Sequence, residues 1–208
     1  MRIPIPIPNV KASPLIKTLI IGLTFLVMSC ADLRAEDCSK KFPIGEYGIP
    51  QSDPVVSSGK LFGEGFTPVY MEKQKVEQAA DVCRYVYATD VFRLTLDKGK
   101  DFLYAGCYGD LKGEGARDYV LLLASGTDRK RTQLVTFIHQ KNGYRAALLG
   151  KGDVIGNGFI PQCIRRPSGG VFEGLEGQKF HVVGDLIRYG WYTYFWEKNN
   201  LREIVTSY

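Results

Sequence analysis

From residue 118 onward the hydrophobic and polar positions follow strand periods. Residues 118–124 (DYVLLLA) form a nearly continuous apolar run, the pattern of a strand covered on both faces. Residues 132–139 (TQLVTFIH) and 143–149 (GYRAALL) flank Asn142-Gly143, a pair that tolerates positive φ and predicts a tight hairpin. Residues 179–189 (KFHVVGDLIRY), 191–197 (WYTYFWE) and 201–207 (LREIVTS) predict the last strands, the final two joined through Lys198-Asn199-Asn200. Two Gly-rich stretches, 150–158 and 167–177, separate these runs as loops. Only one segment has a helical period. Over 70–86, Val76, Ala79, Ala80, Cys83 and Val86 recur at helical spacing, with Lys73, Lys75, Glu77 and Asp81 between them. Residues 42–68 are rich in Gly, Pro and Ser and predict an irregular arm.

The pattern predicts an α+β fold dominated by antiparallel strands, with one helix and an irregular N-terminal arm. The expected organisation is a leader over 1–35, the arm over 36–67 and a single β-rich domain over 68–208. No internal repeat is visible and no linker is long enough to split the chain. With 208 residues the chain can bury a sizeable core, and its balance of apolar and charged residues excludes wholesale disorder.

The leader has the layout of a signal peptide. Arg2, Lys11 and Lys17 precede the apolar run 18–29 (TLIIGLTFLVMS). As a helix that run spans only ~18 Å, too short for a ~30 Å hydrocarbon core. Two exits are compatible with it. Val27-Met28-Ser29-Cys30 resembles a bacterial lipobox, in which Cys30 would carry lipid and anchor the protein to a membrane. Alternatively, cleavage after Ala31 or Ala35 would release a free periplasmic or secreted protein. Either exit changes the charge. The chain carries 27 Lys and Arg against 22 Asp and Glu; without 1–35 these become 23 and 21. The basicity belongs largely to the leader, which removes the case for a nucleic-acid partner.

Export also changes the cysteine reading. Cys30 goes with the leader or carries lipid, and Cys38, Cys83, Cys107 and Cys163 remain. Four cysteines in an exported chain predict two disulfides, with all three connectivities open. No CxxC pair or His–Cys spacing suggests zinc, and no cysteine stands beside a histidine as a catalytic thiol would.

One loop has the spacing of cation chemistry. Residues 110–118 place Asp110, Lys112, Glu114 and Asp118 at positions 1, 3, 5 and 9 of a calcium loop, with Gly115 at position 6 and the Ala116 carbonyl at position 7. Asp110, Glu114 and Asp118 are therefore the candidate metal ligands, and calcium is the sole cofactor candidate. Lys112 argues against the metal, because an ammonium cannot ligate a cation. The expectation is that this ammonium takes the place of the ion, bridging Asp110, Asp118 or Glu114.

The stretch GDLKGEGARDYVLLL resembles the DxNGDGxxDYxxLL motif of FG-GAP/VCBS-type modules. Together with the aromatic ending WYTYFWEKNNLREIVTSY, it resembles small exported bacterial proteins that carry one such motif. The resemblance covers about residues 100–150 and 185–208, and departs from the motif at Lys112 and Glu114. It implies propeller-blade-like hairpins and an extracytoplasmic interaction module without a settled activity. A complete propeller is excluded, since it needs several blades.

The remaining candidates have plain structural readings. His139 and His181 lie in strands without a nucleophile motif, Ser125 reads as a turn residue, and no catalytic residue is assigned. The cluster at 129–131 (RKR) reads as a solvated hairpin tip that could steer an acidic partner. In the aromatic stretch, alternation sends Trp191 and Phe195 to one face and Tyr192, Tyr194 and Trp196 to the other. One set belongs to the core. Trp191, Tyr192, Tyr194 and Trp196 are the candidate interface, with core packing on both faces as the competing reading.

The functional expectation is a non-enzymatic envelope protein that binds a protein or a cell-wall component, a class that includes inhibitors and immunity proteins. The competing expectations are a hydrolase of envelope polymers and a structural lipoprotein.

Overall fold

A computed structural model describes residues 47–81, 93–127, 131–152 and 160–206. The apolar run becomes strand β7 (Asp118–Ser125), with every residue from Asp118 to Ala124 buried. It is the centre of the largest sheet. On one side it pairs with β8 (Thr132–Gln140), which pairs in turn with β9 (Gly143–Gly152). Its other side is shared by two short strands. β6 (Gly106–Gly109) runs along Asp118 to Leu121, and β2 (Phe66–Pro68) along Leu123 to Ser125. All these pairings are antiparallel.

Leu122 sits at the fork between β2 and β6. Its N–H donates to the Ala105 carbonyl (2.8 Å), Ala105 N–H donates to Val69 (2.8 Å), and Val69 N–H donates back to Leu122 (3.0 Å). Beyond this ring both short strands turn into another sheet. β2 leads into β3 (Tyr70–Glu72), while β5 (Phe102–Tyr104) precedes β6. With β1 (Ile49–Pro50) and β4 (Leu94–Thr95) they form a sheet in the order β1-β5-β3-β4. Sheets that meet at a corner are commonly joined by strands that change sheet in this way.

Alternation along β7 sends its side chains into different clusters. Tyr119, Leu121 and Leu123 pack with Ile49, Val56, Tyr70, Tyr104 and Phe137. Leu122 and Ala124 join Val69, Met71, Leu103 and Ala105. Val120 meets Cys107, Leu134, Ile138, Ile187, Tyr194 and Trp196, which brings in the second four-stranded sheet. That sheet runs β10-β13-β14-β15, from β10 (Gln162–Ile164), β13 (Leu186–Tyr189), β14 (Tyr192–Glu197) and β15 (Asn200–Val205). Its outer face carries Phe195, closed by Phe172 and Phe180 from the hairpin β11 (Val171–Glu173) and β12 (Lys179–His181).

The α+β expectation with mainly antiparallel strands holds: the described residues contain fifteen strands and two short helices. They all belong to one compact unit, Cys38–Tyr208. Four local expectations change. The helix α2 begins at Lys73 and is described to Asp81, because Tyr70–Glu72 is claimed as a strand by partners on both sides. The described part of the arm is regular: β1 is followed by a short helix α1 (Pro54–Ser57), whose N-cap Asp53 accepts the N–H groups of Val55 (3.0 Å) and Val56 (3.1 Å). The β8–β9 turn is centred one residue early, on Lys141-Asn142, because Gln140 pairs with Gly143. The strand expected over 179–189 breaks between His181 and Leu186, where Gly184 and Asp185 dock against the 110–118 loop.

Cys107 and Cys163 form a disulfide (Cα–Cα 5.5 Å) that ties β6 to β10. This fits an oxidising compartment. Cys30, Cys38 and Cys83, with the leader, lie outside the described residues. Among the described residues no helix is long and apolar enough to cross a membrane. The bridge spans 56 residues of chain. Replacing both cysteines by alanine is expected to destabilise the protein by about 4 kcal/mol, the chain-entropy value for such a loop. Urea unfolding of the two proteins measures the difference.

Candidate functional site

The 110–118 loop joins β6 to β7, whose ends meet at the pair Gly109–Asp118. Its two aspartates are held by main-chain donors. Asp110 accepts Glu114 N–H on Oδ1 and Gly115 N–H on Oδ2, both at 2.9 Å. Asp118 accepts Leu111 N–H on Oδ2 (2.9 Å) and His139 N–H on Oδ1 (2.7 Å), so it closes the loop and pins the end of β8. Asp118 is buried, and burial pushes its carboxyl above the ordinary range; the N–H groups of His139 and Leu111 pull the other way. The Lys112 ammonium reaches Glu114 Oε1 at 2.9 Å. Of the three carboxylates expected to share it, it pairs with Glu114, while Asp110 and Asp118 are tied by amides. Among the described residues no group of three or more His, Cys, Asp and Glu side chains could hold a metal ion.

A third aspartate, which the sequence pattern did not single out, completes this arrangement. Asp185 accepts Asp110 N–H on Oδ2 and Arg166 N–H on Oδ1, both at 2.9 Å, and its own N–H donates to the Asp110 carbonyl (2.8 Å). The two backbones approach so closely that side chains do not fit. A Cβ on Gly184 would lie 2.3 Å from the Asp110 carbonyl oxygen, and one on Gly113 (φ 69°) would lie 2.1 Å from that of Val183. Both glycines are required by the docking itself. The Gly-Asp pair at 184–185 inside an otherwise apolar run was the available signal for a break.

On the opposite side of the same sheet, Asp53 and Arg117 form a second polar cluster that the pattern missed. Asp53 is buried, caps α1, and accepts from the Tyr119 hydroxyl (3.3 Å to Oδ2); Arg117 Nη1 stands 3.7 Å away. The Arg117 guanidinium lies 4.4 Å from the centre of the Tyr108 ring, within cation–π range. Burial, with the Asp53 charge adding to it, pushes the Tyr119 phenol up to about 12. Tyr144 packs edge-on against both Tyr119 (5.7 Å) and His139 (5.5 Å).

A groove of about 390 Å³ lies between the β8–β9 and β14–β15 hairpins. Ile138, Ala147, Trp196 and Leu201 supply its apolar surface. Lys112, Gln140, Arg145 and Asn199 supply its polar groups. The sequence pattern had marked Lys112 and Trp196 alone among these, since the others converge only when the two hairpins pack.

The remaining candidates are dispersed. Trp191 and Tyr192 are exposed, at 43% and 40%, whereas Tyr194 and Trp196 are interior at 4% and 7%. The four-residue aromatic interface is therefore corrected to two surface residues, because Tyr194 and Trp196 face the central sheet and Phe195 fills the outer cluster. His139 and His181 are exposed and neither lines the groove. Ser125 bonds Thr127 Oγ1 (3.0 Å), as a turn residue does. Arg129 and Lys130 lie outside the described residues. Comparison with protein-family models, with characterised proteins and with solved structures finds no match to this chain.

Two outcomes are expected of the loop. Gly184→Ala should cost at least ~2 kcal/mol, since backbone rather than a flexible side chain must move. Gly115→Ala, at φ 76° but with open space around the new Cβ, should cost only about 1 kcal/mol; thermal unfolding ranks them. Calcium should shift the melting temperature by no more than about a degree, because the aspartate oxygens already carry main-chain bonds and Lys112 occupies the third loop position. A shift of several degrees at micromolar calcium would return the loop to the metal-binding class.

Proposed function

We propose that this chain is an exported cell-envelope protein that acts as a non-enzymatic binding module for a protein or cell-wall component. The observation that carries this reading is the groove between the β8–β9 and β14–β15 hairpins. Its polar groups, Lys112, Gln140, Arg145 and Asn199, hold a ligand by charge and hydrogen bonds. A hydrolytic reading calls for a nucleophile or general base kept in place by a partner. His139 instead stands exposed with its ring edge against Tyr144, and His181 stands exposed on β12. The disulfide is in keeping with export. The likeness to FG-GAP/VCBS-type modules belongs to the same proposal. What supports it is that β6, β7, β8 and β9 follow one another as a four-stranded meander, as strands of a propeller blade do, with the 110–118 loop between the first two.

Co-purification of the full chain from its native envelope, followed by mass spectrometry, tests this. The expected result is a reproducible partner, protein or cell-wall fragment, and an N-terminus at or beyond Cys30. Turnover of envelope polymers by the purified protein would overturn the non-enzymatic reading.

A further inference from the structure

We propose that the groove between the two hairpins binds the free carboxylate end of a peptide whose last side chain is apolar. This rests on the binding-module reading and names its ligand. The charge of the lining points to an anion: Lys112 and Arg145 face the groove and no Asp or Glu lines it. The two cations are not equivalent. Lys112 already shares its ammonium with Glu114, whereas Arg145 has no ion-pair partner among the described residues. Its planar fork matches a carboxylate through two parallel hydrogen bonds.

The rest of the lining decides what the carboxylate is attached to. Ala147 and Leu201 offer an apolar seat beside the cations. Trp196 is only 7% exposed, so its ring is wall rather than an open platform on which a sugar could stack. The side-chain amides of Gln140 and Asn199 have no hydrogen-bond partner among the described residues and suit the main-chain N–H and C=O of a peptide. About 390 Å³ is at the small end of ligand sites, which are ~300–1,000 Å³, and suits a chain end rather than a segment running through.

The test titrates the full chain with acetyl-Ala-Ala-Leu and with its C-terminal amide, following tryptophan fluorescence and heat, with glucuronic acid as the competing anion. The expected result is saturable binding of the free acid, weakened about tenfold or more in the amide and in Arg145→Gln, as for loss of one partner of a desolvated charge pair. Because Arg145 is exposed, the variant should keep the wild-type melting temperature. Equal affinity for acid and amide, unchanged affinity in Arg145→Gln, tighter binding of glucuronic acid, or no saturable binding would each overturn the assignment. Mass spectrometry of the titrated peptide separates the two proposals. Cleavage would overturn the non-enzymatic reading, whereas an inert, unbound peptide together with a partner that still co-purifies would overturn the groove's ligand class alone.

Discussion

The ring of hydrogen bonds among Val69, Ala105 and Leu122 is the constraint on which the architecture turns. β7 is longer than either neighbour on that side, and its backbone is buried, so each of its N–H and C=O groups needs a partner. β6 covers one half and β2 the other, which leaves Leu122 facing a gap. Val69 and Ala105 fill it with their main chains and at the same point lead their strands out of the central sheet. The first sheet is built from what these two chains become. Tyr70 and Tyr104 enter one cluster while Met71 and Leu103 enter another, so this sheet closes both parts of the core beside β7.

The 110–118 loop meets a comparable demand by different means. A calcium loop gathers carboxylates around an ion. Here two aspartates gather main-chain amides instead, and a third, Asp185, joins the loop to the connection between β12 and β13. Glycine at 113 and 184 lets the two backbones touch. The turn geometry of the loop is thus compatible with a structural role: the charges that would ligate a cation orient the chain and fasten the second sheet to the central one. Lys112 is left to pair with Glu114 at the mouth of the groove.

The groove is a consequence of that fastening. The β8–β9 and β14–β15 hairpins come from distant parts of the chain, and each ends in a two-residue turn. Where they pack, Trp196 and Ile138 fill the interior, while the polar ends of both hairpins remain at the rim. A site of this kind has little sequence signature, because its groups are drawn in ones and twos from four strands, a turn and a loop.

The sequence by itself determined the strands β7, β8, β9, β14 and β15, the strand-rich class, the turns between the hairpins and the oxidised cysteine chemistry. Those features rest on local periods, on glycine or asparagine at turns and, for the cysteines, on the expectation of an exported chain. Only the tertiary structure decided the rest. Tyr70–Glu72 follows a helical pattern, yet partners on both sides make it a strand, since sheet pairing outweighs a weak local preference. Residues 182–185 have strand character, yet contact with Asp110 breaks it. Cys107 pairs with Cys163 because β6 and β10 are brought together, which no spacing specifies. Tyr194 and Trp196 are interior because the central sheet covers them; alternation assigns a face but does not say what that face meets. Arg145, Gln140 and Asn199 become a site only when two hairpins pack, because convergence in space leaves no period along the chain.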